Sequence, residues 1–393
     1  MQPKKLDSNV IKKYIEDGIS RQCAPSVSVG VYLKDGTKYE VSTGNHTYDP
    51  NSKKTESTDI YDLASISKVV ATTLLLMKLY EDNILDLDQP LIEFLPDFKN
   101  IQCPDDSWRN RITTRHLLTH TAGLMATVPG SDFPHNSTLE YRREQIMKSV
   151  LKYEPGTDTV YSDVGFMFLY VIAEELYKQK VLSKSSEKKP GKPEELEKLW
   201  FFDPMEMHDT CYNPLETKDK NRIVPTEKSN DAFPGEEYLW GVVHDQKARH
   251  VGGIDGHAGL FSTVPDLLNY IELFLNKGNF RGKQILKPET IELFTKKVGI
   301  DPKSDKCLGL EIITSSGGIY TSPSAFGHTG FTGTFINIDP EYGVGHVLLT
   351  NAVHPNRQSK QEHGFLKFRN ELGTLIYEKL GFTQNPHPLP KKE

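Results

Sequence analysis

Asp62-Leu63-Ala64-Ser65-Ile66-Ser67-Lys68 is the stretch on which the reading of this chain turns. Ser65 and Lys68 stand three apart, which on a helix places them on one face, within reach of each other. A serine hydroxyl is a weak nucleophile until a base removes its proton. A lysine can be that base only if burial and nearby positive potential lower its pKa. Val69, Leu74, Met77 and Tyr80 follow at helical spacing, so a helix over 65–80 is expected with Ser65 at its start. There the free N–H groups of the first turn would face a developing oxyanion. S-x-x-K alone is a weak signal. Ser185-Ser186-Glu187-Lys188 matches it too, inside a lysine-rich polar stretch over 178–192 with no apolar period, which reads as an exposed loop.

Outward from this stretch, strands gather at the two ends of the chain and helices between them. Residues 9–21 carry Val10, Ile11, Tyr14, Ile15 and Ile19 on one side of an amphipathic helix. Val27, Val29 and Val31 alternate with small residues as a strand does, Lys34-Asp35-Gly36 marks a turn, and residues 38–42 return as a hairpin arm. Further strands are expected over 308–314, 318–320, 334–338 and 345–350. Helices are expected over 163–177, 266–275 and 365–380. The class is therefore α/β (α+β): an antiparallel sheet built from both termini and flanked by helices, plus a mostly helical insertion. The boundaries fall at 1–60 and 305–393 for the sheet domain and 61–304 for the helical one, with the active site at their junction. The proline- and lysine-rich residues 384–393 read as a frayed tail.

Composition narrows the function. The 393 residues are 37% hydrophobic and 25% charged, an ordinary globular balance. A net charge of -6 gives no support for a nucleic-acid partner. Cys23, Cys103, Cys211 and Cys307 lie far apart and read as free thiols of a reducing compartment. No stretch is long and apolar enough to span a bilayer, and no apolar region follows the basic pair Lys4-Lys5. The expectation is a cytoplasmic protein, with export after leader removal as the alternative. His116 and His120 stand four apart in H-L-L-T-H, which lacks the glutamate of a zinc-protease helix. No metal and no cofactor is expected.

Two more stretches carry chemistry. Tyr161-Ser162-Asp163 opens the helix over 163–177. A phenol beside cations can shuttle a proton; equally, Tyr161 can anchor a helix entry capped by Ser162 or Asp163. His328-Thr329-Gly330 sits in a glycine-rich segment leading into the strand over 334–338. There the backbone can approach a substrate and the histidine can offer a donor or a positive charge to a carboxylate; the plainer reading is a turn with a surface histidine.

Taken in order, S-x-x-K, Y-x-D and H-T-G resemble the active-site set of serine β-lactamases and penicillin-binding proteins, a set related to the class A motifs. The tyrosine version is similar to class C β-lactamases, D-alanyl-D-alanine carboxypeptidases, D-aminopeptidases and family VIII esterases. The resemblance runs over nearly the whole chain, through His116-Leu117-Leu118-Thr119-His120-Thr121-Ala122-Gly123-Leu124, Val243-His244-Asp245 and Gly256-His257-Ala258-Gly259-Leu260. It implies a β-lactamase/transpeptidase-like fold and an acyl-enzyme on Ser65. It further implies Lys68 and Tyr161 as proton-handling partners and an oxyanion hole on the N–H groups of Ser65 and Phe331. Asp163, His328, Thr329 and Gly330 would lie along the bound substrate, and His257 would order the loop bordering the cleft.

Two departures matter. Asp163 replaces a common asparagine, which favours esters or a cationic substrate, and His328 replaces lysine, which weakens the hold on a β-lactam carboxylate. The expected partner is a small acyl substrate: an ester, amide, D-peptide or β-lactam. An esterase or amidase comes first. A D-amino-acid-specific peptidase or D-alanyl-D-alanine carboxypeptidase with weak β-lactamase activity is the alternative, and a non-catalytic penicillin-binding scaffold a third. Pocket walls are expected from loops around 126–137, 213–240 and 315–326. Oligomeric state stays open.

Overall fold

The computed structural model describes residues 3–128, 133–184, 191–230, 235–300, 304–313 and 316–384. The second S-x-x-K, Ser185 to Lys188, and the tail beyond residue 384 lie outside the described residues. One antiparallel sheet holds β1 (Ser26–Leu33), β2 (Lys38–Gly44), β3 (Glu311–Ile312), β4 (Phe326–Thr329), β5 (Phe335–Asp339) and β6 (Val344–Thr350). Their spatial order is β2-β1-β6-β5-β4-β3. β1 meets β6 with Val27 opposite Thr350 and Leu33 opposite Val344, so strands from the two ends of the chain close on each other at the centre of the sheet.

Both faces of the sheet are covered, and for this reason β1 and β6 are buried along their whole length. Side chains alternate between faces. Leu348 joins Val27, Val29 and Val31 in a core with Ile11 and Ile15 of α1 (Ser8–Ser20) and Phe368, Leu372 and Ile376 of α5 (Phe365–Leu380). Val347 and Leu349 point the other way, into a larger core with Leu267, Leu268 and Ile271 of α4 (Val264–Leu275). Two glycines let α4 approach. A Cβ on Gly30 would stand 2.6 Å from Val264 Cγ1, and one on Gly345 would stand 2.3 Å from Ile271 Cγ2.

The helical half is organised by α3 (Asp163–Lys180), buried continuously from Val164 to Ala173. A helix apolar all round belongs inside a protein, not at its surface. Its start is fixed by Ser162, whose hydroxyl accepts the Gly165 N–H.

Three expected elements differ. The segment after Ser65 is not one α-helix: Ala64–Ile66 is a 3-10 turn, Lys68–Thr73 winds as π-helix, and α2 (Leu74–Glu81) begins only afterwards. The Thr73 hydroxyl bonds the Lys68 carbonyl at 2.7 Å, a local side-chain bond of the sort that competes with regular helix. Among the described residues of 308–313, the expected strand over 308–314 is reduced to Glu311–Ile312, because a turn brings the Cys307 N–H to the Leu310 carbonyl at 2.9 Å. No strand forms over 318–320: Gly318 takes φ +100°, which turns the chain against α5, where its Cα faces the Thr374 backbone.

The contact of α4 with the sheet gives a test. Gly345→Val puts branched carbons where Ile271 already sits, and overpacking of this kind costs about 1–3 kcal/mol. The denaturation midpoint falls in urea; an unchanged midpoint contradicts the packing described.

Candidate active site

Ser65 is held by a strained backbone. Ala64, just before it, has φ +49°, a left-handed conformation costing an alanine on the order of 1 kcal/mol. Asp62 secures it. One carboxylate oxygen accepts the Ala64 N–H at 2.7 Å and the other accepts the His244 N–H at 2.6 Å. Burial raises the Asp62 pKa against the pull of these N–H groups.

Lys68 is fully buried beneath Ser65. Its Nζ donates to Ser65 Oγ at 3.0 Å and to the His257 carbonyl at 3.1 Å, and stands 2.7 Å from Asp163 Oδ1. It also lies 5.0 Å from the centre of the Tyr161 ring. Burial alone would drive the proton off. Asp163 and Tyr161 outweigh it, and the amine holds its proton above the usual lysine range. This corrects the expectation of a lysine with a lowered pKa. Asp163 does not stand free for a substrate amide or cation; it is the counter-ion of Lys68, placed there by the first turn of α3.

Tyr161 is about a third exposed and faces the cleft. Its ring packs on His120 at 4.6 Å between centroids and on His328 at 5.9 Å. His120 serves this segment from behind: its Nδ1 accepts the Ser162 N–H at 3.0 Å and its carbonyl accepts the Val160 N–H at 3.0 Å. Burial, then the cations Lys306 and Lys68, push the His120 pKa well down, which suits an imidazole acting as acceptor. His116 bonds Thr113 at the start of a short helix and has no part in the cleft.

His328 does not serve as a cleft-facing cation. It is 2% exposed on β4, its Nδ1 bonds the Thr329 carbonyl at 2.7 Å, and burial lowers its pKa. Thr329 and Gly330 support rather than line the cleft. Gly330 lies against the first motif: a Cβ there would stand 2.6 Å from the Leu63 carbonyl oxygen. Thr332 and Thr334 bond the Asp62 and Leu63 carbonyls at 2.8 and 2.9 Å. These contacts carry Phe331 to the mouth beside Ser65, where its ring is half exposed. The N–H groups of Ser65 and Phe331 have no acceptor among the described residues, as an oxyanion site requires. Lys360 braces the Phe331 carbonyl at 2.7 Å.

The cleft is a pocket of about 340 Å³ lined by Ala64, Ser65, Tyr161, Asp163, residues 244–247, His257, Ala258, Phe331 and Arg357. Among the described residues, the walls around Ser65 and Tyr161 come from 244–247, His257, Ala258, Phe331 and Arg357 and not from the loops around 126–137, 213–240 and 315–326; residues 129–132, 231–234 and 314–315 lie outside the described residues. Behind the pocket, His257 bonds Asp245 at 2.9 Å and stands 3.8 Å from Asp255, which also pairs with Arg142 at 2.9 Å. Burial opposes the imidazolium, yet Asp245 and Asp255 raise the His257 pKa to about 10. His257 does order the cleft-side loop, and its carbonyl is a ligand of Lys68.

The β-lactamase family model matches residues 11–368. N-acetylmuramyl-L-alanine amidase of Bacillus subtilis is 32% identical over 324 residues, covering 77% of this chain and 70% of that protein. An Escherichia coli K12 protein that carries the provisional name D-alanyl-D-alanine carboxypeptidase is 32% identical over 323 residues, covering 75% and 69%. In fold, the chain is similar to EstCE1, a hydrolase with promiscuous acyltransferase activity (TM-score 0.71, 18% identity, 94% of this chain and 99% of that one). It is similar also to the D-amino acid amidase of Ochrobactrum anthropi SV3 (TM-score 0.69, 18% identity, 95% and 99%).

The His257 cluster sets a pH dependence of stability. A histidine whose folded pKa is raised from 6.5 to about 10 contributes fully below pH 6.5 and loses that contribution as pH rises toward 10. Asp245 and Asp255 are lowered from 3.8, so their contribution is lost as pH falls below that value. The stability gap between wild type and His257→Gln is widest between pH 4 and 6.5 and shrinks toward pH 10. Denaturation midpoints across pH 4–10 measure it; a gap that does not change with pH contradicts the charged state of His257.

Proposed function

The chain belongs to the β-lactamase family, and from that premise we propose that it is a serine hydrolase that forms an acyl-enzyme on Ser65 and acts on small esters or amides. One observation carries the reading: the 3.0 Å contact between Lys68 Nζ and Ser65 Oγ, with Tyr161 on the same cleft. The contact speaks against a non-catalytic scaffold, which has no need of a buried ammonium at a serine hydroxyl.

In the proposed step, Ser65 Oγ attacks the acyl carbonyl and gives up its hydroxyl proton to the Tyr161 oxygen. Lys68 acts as a fixed ammonium that holds Ser65 Oγ and steadies the phenol side, because Asp163 keeps it charged. The oxyanion is bound by the N–H groups of Ser65 and Phe331. Tyr161 then passes the proton to the leaving group, draws one from the water that attacks the acyl carbonyl, and returns it to Ser65 Oγ as the Ser65–acyl bond breaks.

A second reading, D-amino-acid-specific peptidase or D-alanyl-D-alanine carboxypeptidase activity, is favoured by the name of the Escherichia coli relative at 32% identity. β-Lactam turnover is expected to be weak, because buried His328 leaves the third motif, the position to which the resemblance assigns a β-lactam carboxylate, without a permanent cation.

Intact-mass detection of an acyl-enzyme across p-nitrophenyl esters, a penicillin and D-alanyl-D-alanine peptides tests the proposal. A covalent adduct is expected with the esters, and Ser65→Ala abolishes it and lowers kcat by about a thousand-fold or more. Near-normal ester hydrolysis by Ser65→Ala rules the proposal out.

Asp163→Asn separates the roles of Lys68 and Tyr161. Without the carboxylate, burial dominates and the ammonium loses its proton at lower pH. If the charged amine is the working form, the alkaline limb of kcat/KM moves down in pH. A shift of the acid limb instead would make neutral Lys68 the base.

A further inference from the structure

The charged side chains around the cleft fall into closed groups. Lys68 is matched by Asp163 at 2.7 Å. His257 is matched by Asp245 at 2.9 Å, and Arg142 by Asp255 at 2.9 Å. Arg357 and His244 share Glu227, at 2.9 and 2.6 Å. Lys247 is left over. It lines the same pocket as Ser65, partly buried, and among the described residues it makes no ion pair and no hydrogen bond. Gln246 beside it also lines the pocket with its amide unengaged among those residues. Across the mouth, Lys360 lies 5.3 Å from the Phe331 ring centre and donates to the Phe331 carbonyl, with no acidic partner among the described residues. Every carboxylate at the cleft is already matched by a cation, so an incoming cation would have to break a pair. An incoming anion finds an ammonium ready.

We infer, resting on the serine-hydrolase reading above, that the substrate carries a carboxylate and that Lys247 binds it. The inference reverses the cationic preference that Asp163 suggests in the sequence, because Asp163 is spent on Lys68. It also moves the anion-binding charge from the third motif, where His328 is buried, to the wall formed by residues 244–247. An ammonium on a pocket wall beside a bound carboxylate is screened less than one in open solvent, and a hydrogen bond to a charged group is the stronger sort.

Two pairs of esters matched in shape test it on the full chain. 4-Nitrophenyl butyrate and mono-4-nitrophenyl succinate differ only by a methyl against a carboxylate on the acyl side. 4-Methylphenyl butyrate and 4-carboxyphenyl butyrate place that difference on the leaving side. In one pair the carboxylate ester has a KM lower by about tenfold, the value of one charged hydrogen bond. Lys247→Met erases the ratio within the pair, Lys247→Arg keeps it, and added salt narrows it in the wild type. Equal KM within both pairs overturns the inference, as does a ratio that survives in Lys247→Met. Turnover of the neutral butyrates reports on the serine-hydrolase reading alone. If Ser65 is not acylated by any of the four esters, that reading fails and this inference fails with it.

Discussion

A lysine ammonium sealed from water has to be given partners, and Lys68 finds them on three separate segments: Ser65 on its own turn, the His257 carbonyl, and Asp163 at the start of α3. An unmatched charge in that position would cost several kcal/mol. The cost ties the segments to one point, and the cleft is the space left above it. The π-wound stretch, the strained Ala64 and the cap at Ser162 are local accommodations to the same requirement.

A second set of contacts holds the Phe331 side of the cleft. Thr332 and Thr334 clamp the turn after β4 to the carbonyls of Asp62 and Leu63, and Gly330 fits against Thr334 and the Leu63 carbonyl. The sheet supplies the third motif and the helical half supplies the first two, so geometry at Ser65 depends on the junction remaining fixed. The buried His257 cluster supports it from behind. Its ion pairs, His257 with Asp245 and Arg142 with Asp255, hold the segment whose His257 carbonyl accepts from Lys68.

Much of this was legible in the chain. The amphipathic period of α1 and α5 and the valine alternation of β1 mark elements whose ends lie within a residue or two of expectation. Ser65, Lys68 and Tyr161 were legible through spacing and order, and they do meet in one cleft. The strands over 308–314 and 318–320 were misread because a turn at Cys307 and a left-handed Gly318 prevail over β-branched composition. His328 was misread because a motif gives a position along a strand and not the depth of that strand in the core. His120 carries no spacing signal beyond its pairing with His116; its role comes from a left-handed backbone (φ +59°) just past the end of the helix over Thr114–Leu118, which sets its ring against the Tyr161 segment. No local pattern marks Lys247, since one lysine among many differs only in what surrounds it.

The sequence by itself determined most of the elements, the family and the motifs that bring Ser65, Lys68 and Tyr161 together, because periodicity and short spacing are local properties of a chain. The tertiary structure alone decided the charge states. Whether Lys68 keeps its proton, whether His328 can carry one, and which cation is left for a substrate all depend on burial and on carboxylates brought from distant positions. Electrostatic energy is set by distance and by exclusion of water, and neither quantity is written in the order of residues.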